Sequence, residues 1–186
     1  MENKDKLIDV ALTLFNDRGY QSVGIQEIVD TVGVSKPTLY HYYNSKLGLL
    51  KAIFEQHILG DIKRYEEDAI YNGDFTYSLQ KLTFAISNSY KNNPRLYHLL
   101  FTYILSSKDS EDYKVVNLYL SKIYNIVVNL FVASKVQNGN MNNREEQFSY
   151  SYLAMLIDYL NRHGEEMNND QFLYSLLHQF QFGINS

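Results

Sequence analysis

The stretch GVSKPTLYHYYNSK, residues 33–46, holds three tyrosines, a histidine, two lysines and several hydroxyls, but no carboxylate. Such side chains donate hydrogen bonds and positive charge. A phosphate backbone repels carboxylates, so their local absence is what contact with it requires. The acid-free window runs from Asp30 to Glu55 and contains Lys36, Lys46 and Lys51. The chain as a whole carries a formal net charge of −4, and residues 1–50 hold five Lys/Arg against six Asp/Glu. The basic surface is therefore local, without a broad electrostatic footprint.

Other chemistries find little support. With no cysteine there is no disulfide framework, thiolate metal site or thiol nucleophile. His41, His57, His98, His163 and His178 show no HExxH or other metal-ligand spacing, and no glycine-rich phosphate loop occurs. No catalytic residue, metal or cofactor is expected, and an enzyme is not. The start, MENKDKLIDV, is charged, and no run approaches 18 consecutive apolar residues. These features predict neither a signal peptide nor a membrane span, and a cytoplasmic location.

The elements that must position the stretch are helices. Leu7, Ile8, Ala11, Leu14 and Phe15 recur at helical spacing, and Gly19 ends their helix. Ile25, Ile28, Val29 and Val32 make a second helix stopped by Gly33. Ser35 caps a third, with Pro37 in its first turn, running to about Tyr43. Ser45 caps a long fourth helix that reaches the turn Asn72-Gly73-Asp74. Five more follow, the sixth opening at Asn93-Pro94, the eighth at an Asn143/Glu146 capping box and the ninth at an Asn-Asn-Asp cap, residues 168–170. Residues 137–143 are the most loop-like. With no alternating strand pattern and no repeat, the chain is expected to be all-α, with about nine helices. The expected domains are 1–46 and 47–186.

Helix, glycine turn, helix is a helix-turn-helix. Two helices so joined can simply pack and bind nothing. On the third helix, however, Lys36, Thr38, Tyr40, His41 and Tyr42 are all polar-tipped around one apolar residue, Leu39. A packing helix would carry a wider apolar stripe.

These residues resemble the tetracycline-repressor (TetR) family of bacterial transcription regulators. The likeness spans residues 5–54. It rests on Gly19-Tyr20, Ile28, Gly33-Val34-Ser35, Leu39-Tyr40, the aromatic Tyr43, and Ser45-Lys46 followed by Leu49-Leu50. The resemblance implies that the third helix enters the major groove of operator DNA. Lys36, Pro37 and Thr38 would then face bases, Tyr40 and Tyr42 would donate to phosphates, and Ser35 would cap and reach phosphate. Lys46 would hold phosphate at a helix N-terminus, Gln26 would reach a base or the backbone, and His41 the backbone. Three departures stand out: Val23-Gly24 replaces the usual capping threonine, Val29 a usual alanine, and Pro37 a frequent glycine.

The resemblance also implies an effector pocket within helices four to seven and a homodimer built from helices eight and nine. The pocket candidates are polar groups on otherwise apolar faces: His57, Tyr65, Tyr90, Tyr97, His98, Tyr103, Tyr124 and Asn125. They suit a small apolar or aromatic effector, although tyrosines at helical spacing are also ordinary core. The interface candidates are Phe148, Tyr152, Met155, Leu156 and Tyr159 on helix eight, and Phe172, Leu176, Leu177 and Phe180 on helix nine. They too can instead complete a core. The expected function is a ligand-responsive repressor binding a palindromic operator as a homodimer. The alternative is a dimer of this fold acting as a coactivator or adaptor through protein contacts.

Overall fold

Apolar residues recur every three or four positions, and a computed structural model turns each such run into a helix. The structure describes residues 2–137, 141–164 and 170–183. Among them are nine α-helices and no strand: α1 (Asn3–Arg18), α2 (Ile25–Val32), α3 (Lys36–Tyr43), α4 (Lys46–Asp68), α5 (Phe75–Asn92), α6 (Pro94–Thr102), α7 (Glu111–Ser134), α8 (Glu145–His163) and α9 (Asp170–Phe182). A 3-10 turn, Tyr103–Leu105, follows α6.

The chain packs as two compact units that do not follow its linear order. The first is Met1–Leu59 with Arg95–Leu120, and the second is Gly60–Pro94 with Ser121–Ser186. The expected division after residue 46 follows the chain; packing instead draws the start of α4, most of α6 and the start of α7 to the helix-turn-helix. α7 is long and apolar enough to cross a membrane by length and composition alone. Its Val116, Leu120, Val127, Leu130 and Phe131 are buried within the protein, as in a core helix.

Two short connections set the first unit. Gly33 takes a left-handed conformation (φ 78°, ψ 37°). Its N–H donates to the Asp30 carbonyl at 3.2 Å, and the Val34 N–H donates to the Val29 carbonyl at 2.9 Å. This pairing is the Schellman motif, which satisfies the last carbonyls of α2 and turns the chain sharply. The α3–α4 connection is tighter still. Ser45 caps α4 by accepting from the Gly48 N–H at 2.9 Å. A Cβ on Gly48 would lie 1.9 Å from the Tyr43 carbonyl oxygen, so only glycine lets α4 leave α3 this closely.

Three expectations are changed or lie outside the described residues. α8 begins after Arg144, which makes no side-chain cap. Asn143 has a positive φ of 62° and sits in the preceding turn. The expected capping box therefore does not form, because the chain is still turning at that residue. α4 ends at Asp68, ahead of the Asn72-Gly73-Asp74 turn. Asp74 serves instead as the cap of α5, accepting from the Tyr77 N–H at 3.0 Å. Asn168 and Asn169 of the expected α9 cap, and the middle of the 137–143 loop, lie outside the described residues.

Gly48→Ala is expected to lower unfolding free energy by about 2–4 kcal/mol through backbone overlap, and Ser45→Ala by about 1 kcal/mol through loss of the cap. Chemical denaturation followed by far-ultraviolet circular dichroism measures both.

Candidate nucleic-acid interface

α3 has one inward face. Leu39 and Tyr43, four residues apart, are buried. The Tyr43 hydroxyl donates to the Lys4 carbonyl of α1 at 2.7 Å, so the end of α3 is tied to the start of α1. Lys36, Pro37, Tyr40, His41 and Tyr42 point outward and are exposed. Ser35 and Thr38 meet hydroxyl to hydroxyl at 2.9 Å and close the first turn. Either hydroxyl still has capacity for a phosphate oxygen. His41 and Tyr42 pack edge to face, with ring centroids 5.4 Å apart.

The nearby acids are occupied. Arg18 pairs with Glu27. Gln26 donates to Asp30 at 2.6 Å, so its amide is held on α2. Lys51 pairs with Glu55 at 3.4 Å, which removes it from the set of free cations. Gly24 precedes α2 with no side-chain cap, and Val23 is buried. A phosphate reaching this end of α2 would meet backbone N–H groups alone.

Lys46, expected to hold phosphate at the start of α4, lies against aromatic rings in this structure. Its ammonium lies 4.1 Å from the Tyr20 ring centroid and 5.9 Å from that of Phe15. Burial lowers its pKa, while the negative charges of Asp112 and Glu111 oppose that shift. The cation is thus drawn toward an aromatic face and a carboxylate pair at the start of α7.

Asp112 is the residue that sequence reasoning missed. It is 5% exposed. Its Oδ1 accepts from Gln21 Nε2 at 2.9 Å and its Oδ2 from the Tyr103 hydroxyl at 2.9 Å. Gln21 lies in the α1–α2 turn, and Tyr103 in the 3-10 turn after α6. One buried carboxylate therefore joins the helix-turn-helix to the α6–α7 connection. It closes the run SSKDSED, residues 106–112, and only its partners Gln21 and Tyr103 distinguish it from the other acids there. Two more contacts join α6 to α1: Arg95 donates to the Thr13 hydroxyl at 3.2 Å, and His98 Nδ1 meets Asn16 Oδ1 at 2.8 Å.

The pocket candidates divide between the units. In the first, Tyr97 and Tyr103 are buried, His98 is exposed on Asn16, and His57 is half-buried with Nε2 lacking a hydrogen-bond partner. In the second, Tyr65 and Tyr90 are buried, Tyr124 lies edge to face with Tyr150 at 5.5 Å, and Asn125 is exposed. Of the interface candidates, Tyr152, Leu156 and Leu177 are buried in the chain's own core, and the Tyr152 hydroxyl is bonded to that of Thr83 at 2.7 Å. Tyr159 is buried beneath Phe172, stacked at 4.6 Å. Phe172, Leu176 and Phe180, each four residues apart on α9, remain at least partly open to solvent, as do Met155 and Phe148. Met155, Tyr159, Leu176 and Phe180 line a groove between α8 and α9.

Tyr20 and Tyr43 have their hydroxyl pKa pushed up from 10.0 to about 12, chiefly by burial. A raised folded-state pKa contributes stability that is intact below pH 10 and lost as pH climbs from about 10 toward 12. Alkaline unfolding followed by circular dichroism should begin above pH 10, and Tyr43→Phe should remove part of the late tyrosinate absorbance.

Comparison with known proteins agrees with this geometry. The family model described as "Bacterial regulatory proteins, tetR family" matches residues 7–53. The chain is 44% identical over 57 residues to the HTH-type transcriptional activator FasR of Mycolicibacterium smegmatis, covering 31% of this chain and 26% of that protein. It is 40% identical over 55 residues to IcaR of Staphylococcus aureus, the HTH-type negative transcriptional regulator of the biofilm operon icaADBC, covering 30% and 27%. The matches thus span only about a quarter of these relatives' length. Across nearly the whole chain the fold is that of PfmR, a TetR family transcriptional regulator from Thermus thermophilus (TM-score 0.77, 17% identity, 100% and 99% covered). The fatty acid degradation regulator FadR of Bacillus halodurans is similar in fold (TM-score 0.74, 17% identity, 97% and 99% covered). Residues 7–53 thus match the tetR family of bacterial regulatory proteins, and the whole chain shares the fold of solved TetR-like regulators.

Proposed function

We propose that the chain is a cytoplasmic transcription regulator, a repressor, that binds a palindromic operator as a homodimer and is released by a small apolar or aromatic effector. The observation that carries the DNA-binding reading is the two-sided character of α3. Leu39 and Tyr43 fix it from within, and an acid-free outer face presents Lys36, Pro37, Thr38, Tyr40, His41 and Tyr42. Lys36 to Thr38 face bases in this reading, lysine suiting the O6/N7 edge of guanine and Pro37 a thymine methyl. Tyr40, Tyr42, His41 and Ser35 hold the backbone. Lys46 reaches phosphate by leaving the Tyr20 ring, and Gln26 by releasing Asp30.

Dimerisation uses the open stripe Phe172, Leu176 and Phe180 with Met155 and Phe148, supported by the buried Tyr152, Leu156, Tyr159 and Leu177 beneath. A two-fold pair places two α3 helices one DNA turn apart, about 34–36 Å, so a small pivot prevents both from docking. In this reading an effector bound within the helices that follow the helix-turn-helix shifts α6 or α7. Asp112 passes that shift to Gln21 and to the start of α4. By linkage, operator and effector weaken each other by the same factor.

The adaptor reading draws on Val23-Gly24, where the hydroxyl that would cap α2 and meet phosphate is missing. Selection of genomic fragments by the purified protein, at several salt concentrations, separates the two. Salt-sensitive, sequence-selective capture is expected, and its absence would sink the repressor reading. Lys36→Ala should relax sequence choice, whereas Lys46→Ala should weaken all sites and reduce the salt slope by about one unit. Charged residues at Leu176 and Phe180 should give a monomer by sedimentation, with operator affinity lost.

A further inference from the structure

We infer that the second unit holds a binding site for a small monocyclic aromatic molecule, separate from the effector pocket described above. The start of α5 and the ends of α7 and α9 meet the start of α8 around a cavity of about 120 Å³. Its walls are Phe75, Phe131, Phe148, Phe180 and Phe182, with Met141 completing the lining. None of the eight effector-pocket candidates lines it.

The walls have the geometry that receives another ring. Phe75 stands on Phe131 at 5.0 Å and 78°, and Phe180 on Phe131 at 6.2 Å and 74°. Rings placed edge to face leave both faces and edges directed into the space between them, and aromatic guests prefer that arrangement. Tyr152 buttresses Phe180 at 5.6 Å, and the Arg144 guanidinium lies over Phe148 at 4.8 Å, so these two walls are held from behind or beside. An engineered cavity of about 150 Å³ takes up benzene, so a space of about 120 Å³ is of the size for one such ring. The polar side chains of its lining are Thr76 and Gln181, Gln181 Nε2 donating to Thr76 Oγ1 at 3.0 Å, and the cavity is partly open to solvent. The Thr76 hydroxyl keeps its own proton to donate. The cavity therefore suits one six-membered ring bearing at most one hydroxyl-sized polar group, directed at Thr76.

The test uses the full chain with phenol and toluene as probes, read by ligand-observed nuclear magnetic resonance. Saturable binding of both and mutual displacement are expected. Phe182 and Thr76 are exposed, so substitutions there leave the core intact. Phe182→Ala removes one ring wall and should weaken both probes about three- to tenfold. Thr76→Val should weaken phenol while leaving toluene unchanged. The proposal is overturned if neither probe saturates below about 10 mM, or if both variants bind both probes like the parent. It is also overturned if the probes fail and Phe182→Ala instead lowers the affinity of a dimer, since a second copy would then cover these rings. Phe148 and Phe180 also belong to the proposed dimer stripe, so sedimentation of the parent and of Phe182→Ala is read beside the probes to separate the two.

Discussion

The hydrogen bond from the Tyr43 hydroxyl to the Lys4 carbonyl, one turn after the buried Leu39, is the constraint on which the outer face of α3 depends. α3 has only eight residues, too few to be stable alone in water. Burying Leu39 contributes about 1.5–3 kcal/mol, and the tyrosine adds both a ring and a directed bond. With its inner edge held at two points, the helix cannot roll about its axis. Its outer residues are then free to be chosen for polarity and charge, and that is where the acid-free composition appears.

The second constraint is a buried charge. A carboxylate out of water costs several kcal/mol unless it is bonded, and Asp112 meets that cost with Gln21 and Tyr103 while Lys46 lies nearby. The arrangement makes the α1–α2 turn, the start of α4 and the α6–α7 connection share a single polar centre. A shift in one of them disturbs the hydrogen bonds of the others, since an unsatisfied buried hydroxyl or carboxylate is expensive. The arrangement also gives the acidic start of α7 a structural purpose inside a chain of net charge −4.

The second unit depends on aromatic rings more than on charge. Tyr152 is fully buried yet keeps its hydroxyl satisfied by Thr83, so it serves the core without cost. Phe131 and Phe180 pack on it and on each other, and the same rings wall the cavity. Core and cavity are thus one aromatic cluster, open at one end. Along the same face of α9, Leu176 and Phe172 continue the apolar stripe from Phe180 toward solvent.

Much of this was legible in the amino acids alone. Helix positions follow from apolar spacing, and α1, α2 and α3 end where Gly19, Gly33 and Asn44 require, because local backbone preference acts within a few residues. The turn, cap and two-sided character of α3 were equally legible: Gly33, Ser35, Leu39 and the acid-free window are all contiguous. The Asn143 cap failed because one extra turn residue displaced the helix start, a matter of backbone geometry rather than composition. What only the tertiary structure decided involves residues distant in sequence. Asp112 reads as a loop acid until Gln21 and Tyr103, 91 and nine positions away, close on it. That the Lys46 ammonium lies over the Tyr20 ring, and that Tyr152, Leu156 and Leu177 are covered by their own chain, is likewise decided by the fold. Periodicity names the apolar face of a helix but not what meets it, since burial is a property of pairs brought together by the fold.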